Sequence, residues 1–131
     1  MIVLDASALL ALLFKEAGHE QVAAQLQGAL ISAVNWSEVL ARFARDGHAT
    51  TDVAAMLAPL PLQIVAFDED AARRTADLVP AVRAKGLSLG DRACLALGLA
   101  RGLPVLTADH AWSSLDVGVG IRVIRAPARR R

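Results

Sequence analysis

The sequence predicts an α/β fold in which a parallel sheet of five strands is covered by helices on both faces. Short apolar runs alternate with longer segments that have helical spacing, which is the pattern of parallel α/β proteins. The apolar fraction of the chain is 55%, and this high value favours a sheet that is buried on both faces. The length of 131 residues fits one domain, residues 1–131, that is long enough to bury a core.

The elements follow from apolar periodicity and from the glycines and prolines that separate the segments. Five apolar runs have the length of strands, and they lie at 2–4, 29–33, 62–66, 105–107 and 121–124. Helical spacing is found at 6–14, 19–27, 35–46, 50–57, 68–86 and 88–101, with a short turn or helix at 111–114. Asp68 is the predicted cap of the long fifth helix, and Pro80 is expected to kink that helix rather than end it.

Four acidic residues occupy comparable places relative to these elements. Asp5 follows the first strand and Asp109 follows the fourth. Glu38 lies in the first turn of the helix after the second strand, and Asp91 lies in the first turn of the helix before the fourth. Because the carboxyl ends of parallel strands meet at one edge of a sheet, we expect these acids at that edge, Asp91 only if its helix begins there.

Each acid also has a purely structural interpretation as a helix cap. The spacings from Asn35 to Glu38 and from Ser88 to Asp91 both resemble capping boxes. The helix dipole favours acids at helix N-termini in any protein. Four carboxylates on one rim would nevertheless repel one another, and a hard cation such as Mg²⁺ or Mn²⁺ relieves that repulsion. A cation beside an acidic cluster is the usual equipment for phosphodiester hydrolysis.

The segments that contain these acids are VLDAS at 3–7, NWSEV at 35–39, LGDRACLAL at 89–97 and VLTAD at 105–109. They resemble the four motifs of PIN-domain ribonucleases, and they are most similar to the VapC-type toxins of bacterial toxin–antitoxin modules. The resemblance implies a single PIN domain with a three-layer α/β/α sandwich. It also implies a Mg²⁺- or Mn²⁺-dependent endoribonuclease that leaves a 5′-phosphate and a 3′-hydroxyl. Its partner would be a cognate VapB-like antitoxin whose C-terminal segment covers the site.

The resemblance also implies a role for each motif residue. Asp5 and Asp91 match the direct metal ligands of the family. Glu38 matches the acid that acts directly or through water, and Asp109 matches the fourth acid, which completes the site or a second metal position. The hydroxyls that match residues hydrogen-bonded to the acids are those of Ser7 and Thr107.

Contacts with RNA have a weaker basis in the sequence. The net charge is only +1 and three arginines, 129–131, end the chain as a predicted disordered basic tail. Arg42, Arg45 and Arg92 are candidates for phosphate contacts, although each also has the simpler interpretation of a solvated helix charge. A weakly basic surface favours a homodimer that pools two sets of arginines.

Several conspicuous residues receive structural interpretations. Cys94 is interpreted as a small core residue and His110 as a surface residue. Asp116 could be a fifth acid of the site, but a surface position is favoured. Trp36 and Trp112 adjoin the acidic motifs and could stack on a base, but a core or interface role is favoured.

Other function classes fit less well. A haloacid-dehalogenase-type phosphatase needs a second acid two residues after Asp5, where Ser7 stands, and a receiver domain needs a lysine after a late strand. No phosphate-binding loop of the GxxxxGK type occurs. The chain begins on strand residues and has no apolar run long enough to span a membrane, so we expect a soluble cytoplasmic protein. A catalytically silent PIN-like module that only binds protein or RNA remains the alternative.

Overall fold

The sheet is parallel throughout, as the sequence predicts. The structure is a computed structural model, and it describes residues 1–124. Its strands are β1 (Val3–Leu4), β2 (Ala29–Ser32), β3 (Leu62–Val65), β4 (Val105–Thr107) and β5 (Ile121–Val123). The five strands form one sheet in the order β3-β2-β1-β4-β5, and every neighbouring pair is parallel. This order places β1, with Asp5 at its end, in the centre of the sheet.

Helices connect the strands and cover both faces. They are α1 (Ala6–Leu13), α2 (His19–Gln25), α3 (Ala33–Arg45), α4 (Thr50–Leu57), α5 (Glu69–Asp77), α6 (Val79–Val82) and α7 (Leu89–Arg101). Two 3₁₀ helices, Arg83–Lys85 and His110–Ser114, precede α7 and follow β4. Within residues 1–124, no helix is both long and apolar enough to cross a membrane.

The core divides between the two faces of the sheet because successive strand residues point to opposite sides. Val3 is in register with Leu30 and Val105, and all three pack beneath α7. Leu4 and Leu106 point the other way and pack against α1 and α2. A further cluster on that second face joins α1, α3 and α4. The result is the three-layer α/β/α sandwich that the sequence predicts.

The boundary between β2 and α3 differs from the prediction. The strand ends at Ser32, and α3 begins at Ala33 rather than at Asn35. The N-cap is Ser32, whose Oγ accepts a hydrogen bond from the Val34 N–H at 3.2 Å. Asn35 is therefore not a cap, and the predicted capping box from Asn35 to Glu38 is wrong. Asn35 instead lies buried inside the first turn of α3.

The region around Pro80 also differs from the prediction. A single kinked helix over 68–86 is wrong, because α5 ends at Asp77 and Pro80 lies in the first turn of the short helix α6. Proline lacks an N–H and its ring collides with the preceding turn, whereas the first turn of a helix tolerates it. The predicted Asp68 cap is confirmed, since Asp68 Oδ1 accepts a hydrogen bond from the Ala71 N–H.

Most of the structural interpretations of single residues are confirmed. Cys94, which is a residue of α7, and Trp112 are fully buried in the core on that face of the sheet. Trp36 is partly buried against the cluster of α1, α3 and α4. His110 and Asp116 are exposed. The predicted basic tail, 129–131, lies outside the described residues.

Candidate active site

The carboxyl edge of the sheet holds one pocket lined by all four acids. The pocket has a volume of about 250 Å³. Its carboxylates belong to Asp5, Glu38, Asp91 and Asp109. Asp5 follows β1, Asp109 follows β4, and Asp91 lies in the first turn of α7. Glu38 is the sixth residue of α3, so its predicted place in the first turn is wrong, because the helix begins at Ala33. The sheet order brings these four segments together because β1 lies between β2 and β4.

Asp5 is the buried member of the group, with 5% of its surface exposed. Thr107 Oγ1 donates to its Oδ2 at 2.6 Å, and the Ala8 N–H donates to its Oδ1 at 2.8 Å. Ser7 Oγ lies 2.8 and 2.9 Å from the two carboxylate oxygens. The pKa of Asp5 is nevertheless raised to about 6, chiefly by burial and to a smaller extent by the charge of Asp91, against the three hydrogen bonds, which lower it.

The two hydroxyls tie Asp5 to the end of β4. Ser7 Oγ accepts a hydrogen bond from the Ala108 N–H at 2.9 Å. Thr107 Oγ1 accepts one from the Asp109 N–H at 3.0 Å. Each hydroxyl thus donates to Asp5 while it accepts from the backbone that leads to Asp109. The position of Asp5 is therefore coupled to the position of Asp109.

Three of the four acids bond to the N-termini of helices and line the pocket at the same time. Asp91 forms a capping box with Ser88: Asp91 Oδ2 accepts from the Ser88 N–H and Ser88 Oγ accepts from the Asp91 N–H, both at 3.1 Å. Asp109 Oδ1 accepts from the Ala111 N–H at 3.0 Å. Asp5 caps α1 through its bond with Ala8. Helix N-termini therefore face the pocket, and their partial positive charge offsets part of the repulsion between the carboxylates.

Glu38 is exposed, and Asn35, which the sequence predicts to be a helix cap, connects it to α7. Asn35 Nδ2 donates to Glu38 Oε1 at 2.9 Å and to the Gly90 carbonyl oxygen at 3.0 Å. Asn35 is 1% exposed. Its burial could not be read from the sequence, because a polar residue at a strand–helix junction is usually an exposed cap.

Cys94 lies beneath the carboxylates and does not resemble a nucleophile. Burial raises the pKa of its thiol well above the ordinary value, and the charges of Asp5, Asp91 and Glu38 raise it further. The thiol therefore stays protonated and packs as an apolar group.

The donor set suits a hard divalent cation. Within residues 1–124, no three His, Cys, Asp or Glu side chains are arranged so that they could hold a metal ion. Each of the four carboxylates instead bonds to a group of its own segment or a neighbouring one. Carboxylate oxygens are nonetheless the ligands that Mg²⁺ and Mn²⁺ prefer. A cation would also offset the unfavourable burial of the Asp5 charge.

The three candidate arginines do not line this pocket. Arg42 lies 3.6 Å from the Asp46 carboxylate, and its guanidinium lies 4.7 Å from the centre of the Phe14 ring. Arg92 is partly buried and donates from Nη1 to the Thr75 carbonyl oxygen at 3.2 Å, which joins α7 to α5. Arg45 is exposed near the end of α3.

The family model of the PIN domain matches residues 2–118. The chain therefore belongs to the PIN domain family, whose members are generally nucleases. A search of curated protein sequences finds no significant match.

Several solved structures with this fold come from toxin–antitoxin systems. A toxin–antitoxin complex from Klebsiella pneumoniae has a TM-score of 0.75 and 21% identity, over 97% of this chain and 100% of that chain. VapC20 of Mycobacterium tuberculosis, a toxin that cleaves the sarcin–ricin loop, has a TM-score of 0.71 and 19% identity, over 87% and 94%. A VapBC-5 structure from the same organism has a TM-score of 0.58 and 26% identity, over 95% and 98%. These likenesses confirm the predicted fold.

Proposed function

We propose that this chain is a Mg²⁺- or Mn²⁺-dependent endoribonuclease and the toxin component of a toxin–antitoxin module. The observation that supports the proposal is the convergence of four carboxylates on one pocket in a PIN-family fold. The four acids come from separate segments, so local capping alone does not account for their meeting. The proposal treats residues 1–131 as a single PIN domain.

The pocket residues divide into groups with different tasks. Asp5 and Asp91 would hold the cation directly, and Glu38 and Asp109 would hold it directly, through water, or at a second position. A bound cation would neutralise charge at the phosphate and would lower the pKa of the attacking water. Ser7 and Thr107 keep the Asp5 carboxylate oriented. An exposed carboxylate of Glu38 or Asp109 accepts the proton of the attacking water.

The partners follow from the same proposal. The substrate is RNA, cleaved to a 5′-phosphate and a 3′-hydroxyl. The inhibitor is a VapB-like antitoxin, which is supported by the VapBC complexes among the structures with this fold. We propose that the protein acts in the cytoplasm as a homodimer, because a net charge of +1 gives one copy little attraction for phosphates. Arg42, Arg45 and Arg92 remain proposed phosphate contacts.

Divalent-dependent RNA cleavage is the test of this function. Purified protein is incubated with total RNA and Mn²⁺ or Mg²⁺, and new 5′ ends are mapped by sequencing. We expect discrete new 5′ ends in the wild type and their loss in Asp5→Asn, which keeps the shape of the side chain and removes its charge. Asp116→Asn is the matched control, because Asp116 is exposed and does not line the pocket.

Two results would contradict the nuclease. One is the absence of discrete new 5′ ends at any divalent concentration. The other is cleavage by Asp5→Asn at the wild-type rate, which would indicate a contaminating ribonuclease. Tight antitoxin binding without any cleavage would favour the catalytically silent module instead.

A further inference from the structure

The Glu38 carboxylate has an unusually defined position for an exposed side chain. A glutamate on a helix surface has three rotatable side-chain bonds and ordinarily samples several rotamers in water. Here Asn35 holds Glu38 Oε1 with one amide proton and the Gly90 carbonyl oxygen with the other. One amide group therefore joins α3 to the first turn of α7, across 55 positions of sequence.

Gly90 provides the surface on which that carboxylate rests. A Cβ added to Gly90 would overlap the Glu38 carboxylate, 2.6 Å from both Oε1 and Cδ. Gly90 itself is buried, in the first turn of α7 and next to Asp91. The missing side chain at this position is what lets the carboxylate lie against α7.

The orientation of the Asn35 amide leaves its buried oxygen without a hydrogen bond within residues 1–124, and it keeps both amide protons hydrogen-bonded. Its Oδ1 is buried and has no hydrogen-bond partner among the described residues. Turning the amide over would aim Oδ1 at Glu38 Oε1 and at the Gly90 carbonyl oxygen, which are both acceptors. The protein leaves one acceptor unpaired and keeps both amide protons on these two partners.

We propose that Asn35 and Gly90 are positioning residues that lock the Glu38 carboxylate against the N-terminus of α7. The lock presents Glu38 and Asp91 to the pocket as a fixed pair. Its structural part stands on contacts within the metal-free chain, and its catalytic consequence rests on the proposed nuclease function. Fixing a carboxylate before a cation arrives removes the loss of rotamer freedom that binding would otherwise impose.

The amide protons of Asn35 report the lock directly. Asn35 is the only asparagine of the chain, so selective ¹⁵N-asparagine labelling gives one side-chain NH₂ pair in a correlation spectrum. In metal-free wild-type protein we expect both protons to exchange with solvent more slowly than those of free asparagine. In Glu38→Ala and in Gly90→Ala we expect the proton that faces Glu38 to shift and to exchange faster. The proposal would be overturned if the Asn35 side-chain protons of the wild type exchanged as fast as those of free asparagine. It would also be overturned if their resonances were unchanged in Gly90→Ala.

A second glycine of α7 supplies a matched control for Gly90→Ala. The neighbour displaced in Gly90→Ala is the far end of a flexible side chain, and alanine is the better helix former, so we expect unchanged or higher stability. In Gly98→Ala the added Cβ meets Val105 Cγ1 at 2.7 Å and the Leu103 carbonyl oxygen at 3.0 Å. We expect Gly98→Ala to lose stability and to retain the wild-type Asn35 resonances. The opposite pattern would show that the resonances follow general stability rather than the lock.

Mn²⁺ titration connects the lock to the site. We expect Gly90→Ala to weaken Mn²⁺ binding by roughly 10–100-fold, as changes to groups that orient metal ligands do. In the Glu38→Ala background Gly90→Ala should have no further effect, because the displaced carboxylate is already gone. With RNA as substrate we expect Gly90→Ala to have a lower kcat than Ser37→Ala and a similar KM. Ser37→Ala is the control because Ser37 lies two residues from Asn35 in α3. A full effect of Gly90→Ala in the Glu38→Ala background would place its cause in the backbone and overturn the proposal.

The two proposals fail differently. If the protein cleaves no RNA and binds no Mn²⁺ while the Asn35 resonances respond as expected, the lock stands and the nuclease function fails. If cleavage depends on Asp5 while the Asn35 protons exchange freely, the nuclease stands and the lock fails.

Discussion

Asp5 shows how much of this site depends on a single desolvated residue. Its carboxyl is 5% exposed, and burial moves its pKa from the ordinary value of 3.8 to about 6. The hydrogen bonds from Thr107, Ala8 and Ser7 oppose this shift without cancelling it. The metal-free protein therefore holds a charge at neutral pH that its surroundings disfavour, which is a property expected of a residue kept for binding.

The first prediction concerns the stability of the metal-free protein against pH. The free energy of unfolding should fall as the pH rises from about 4 to about 6, because there the folded protein keeps the Asp5 proton and the unfolded chain has lost it. The loss across the window is on the order of 3 kcal/mol. Urea denaturation in EDTA measures it as the difference between wild type and Asp5→Asn, which cannot titrate. Parallel curves for these two proteins would contradict the raised pKa, and Asp116→Asn should behave as wild type.

The second prediction concerns Thr107, whose hydroxyl donates to Asp5 and accepts from the Asp109 N–H. Thr107→Val should lose about 1–3 kcal/mol of stability, since valine keeps the shape but leaves buried partners unpaired. It should also weaken Mn²⁺ binding. Thr75→Val is the matched control, because Thr75 is equally buried and its hydroxyl donates only to the Ala71 carbonyl oxygen in α5. If both variants weaken Mn²⁺ binding equally, the Thr107 hydroxyl has no specific role at the site.

At the scale of elements, the sequence predicts a helix boundary correctly where one residue type is enough to begin or end the helix. Asp68 and Ser88 begin helices as predicted because a side-chain oxygen can satisfy a free N–H at only a few positions. The start of α3 does not follow from local signals, because Ser32 and Asn35 are both good caps, and in the structure Ser32 caps the helix. Pro80 ended a helix that periodicity alone would continue. Tertiary packing thus decides the cases that local signals leave balanced.

The third prediction compares the N-termini of two helices. Ser88→Ala and Asp68→Ala should each lose about 1 kcal/mol of stability, because each removes the oxygen that caps a helix. Only Ser88→Ala should lower RNA cleavage, since Ser88 forms the capping box that holds Asp91. Chemical denaturation and cleavage rates of the two variants check this. Equal losses of activity would mean that the effect follows stability and not the position of Asp91.

At the scale of the whole molecule, the meeting of the acids was predictable and their arrangement was not. Three of the acids, Asp5, Asp91 and Asp109, lie at or near the end of an element, and Glu38 follows one turn into α3, so an elementary rule about parallel sheets places them at one edge. The side-chain rotamers of the acids depend on hydrogen bonds to other residues, such as that between Asn35 and Glu38, which no spacing reveals. The sequence says still less about where a long arginine side chain points. Arg92, a candidate for a phosphate contact, donates to the backbone of α5.

The last prediction follows from coupling between the fold and the cation. A ligand that binds only the folded state stabilises it by about 2.7 kcal/mol at a hundred times its dissociation constant. At pH 7.5 saturating Mn²⁺ should therefore raise the Tm of the wild type by several degrees. At pH 5 and the same Mn²⁺ concentration the rise should fall to about half, because most Asp5 carboxyls, with their pKa raised to about 6, are protonated and the proton competes with the cation. Asp5→Asn should show little rise at either pH, whereas Asp116→Asn should follow the wild type. If Mn²⁺ raised the Tm of Asp5→Asn as much as that of the wild type at pH 7.5, Mn²⁺ would bind elsewhere, because removing one buried negative charge from the pocket must weaken the binding of a cation there.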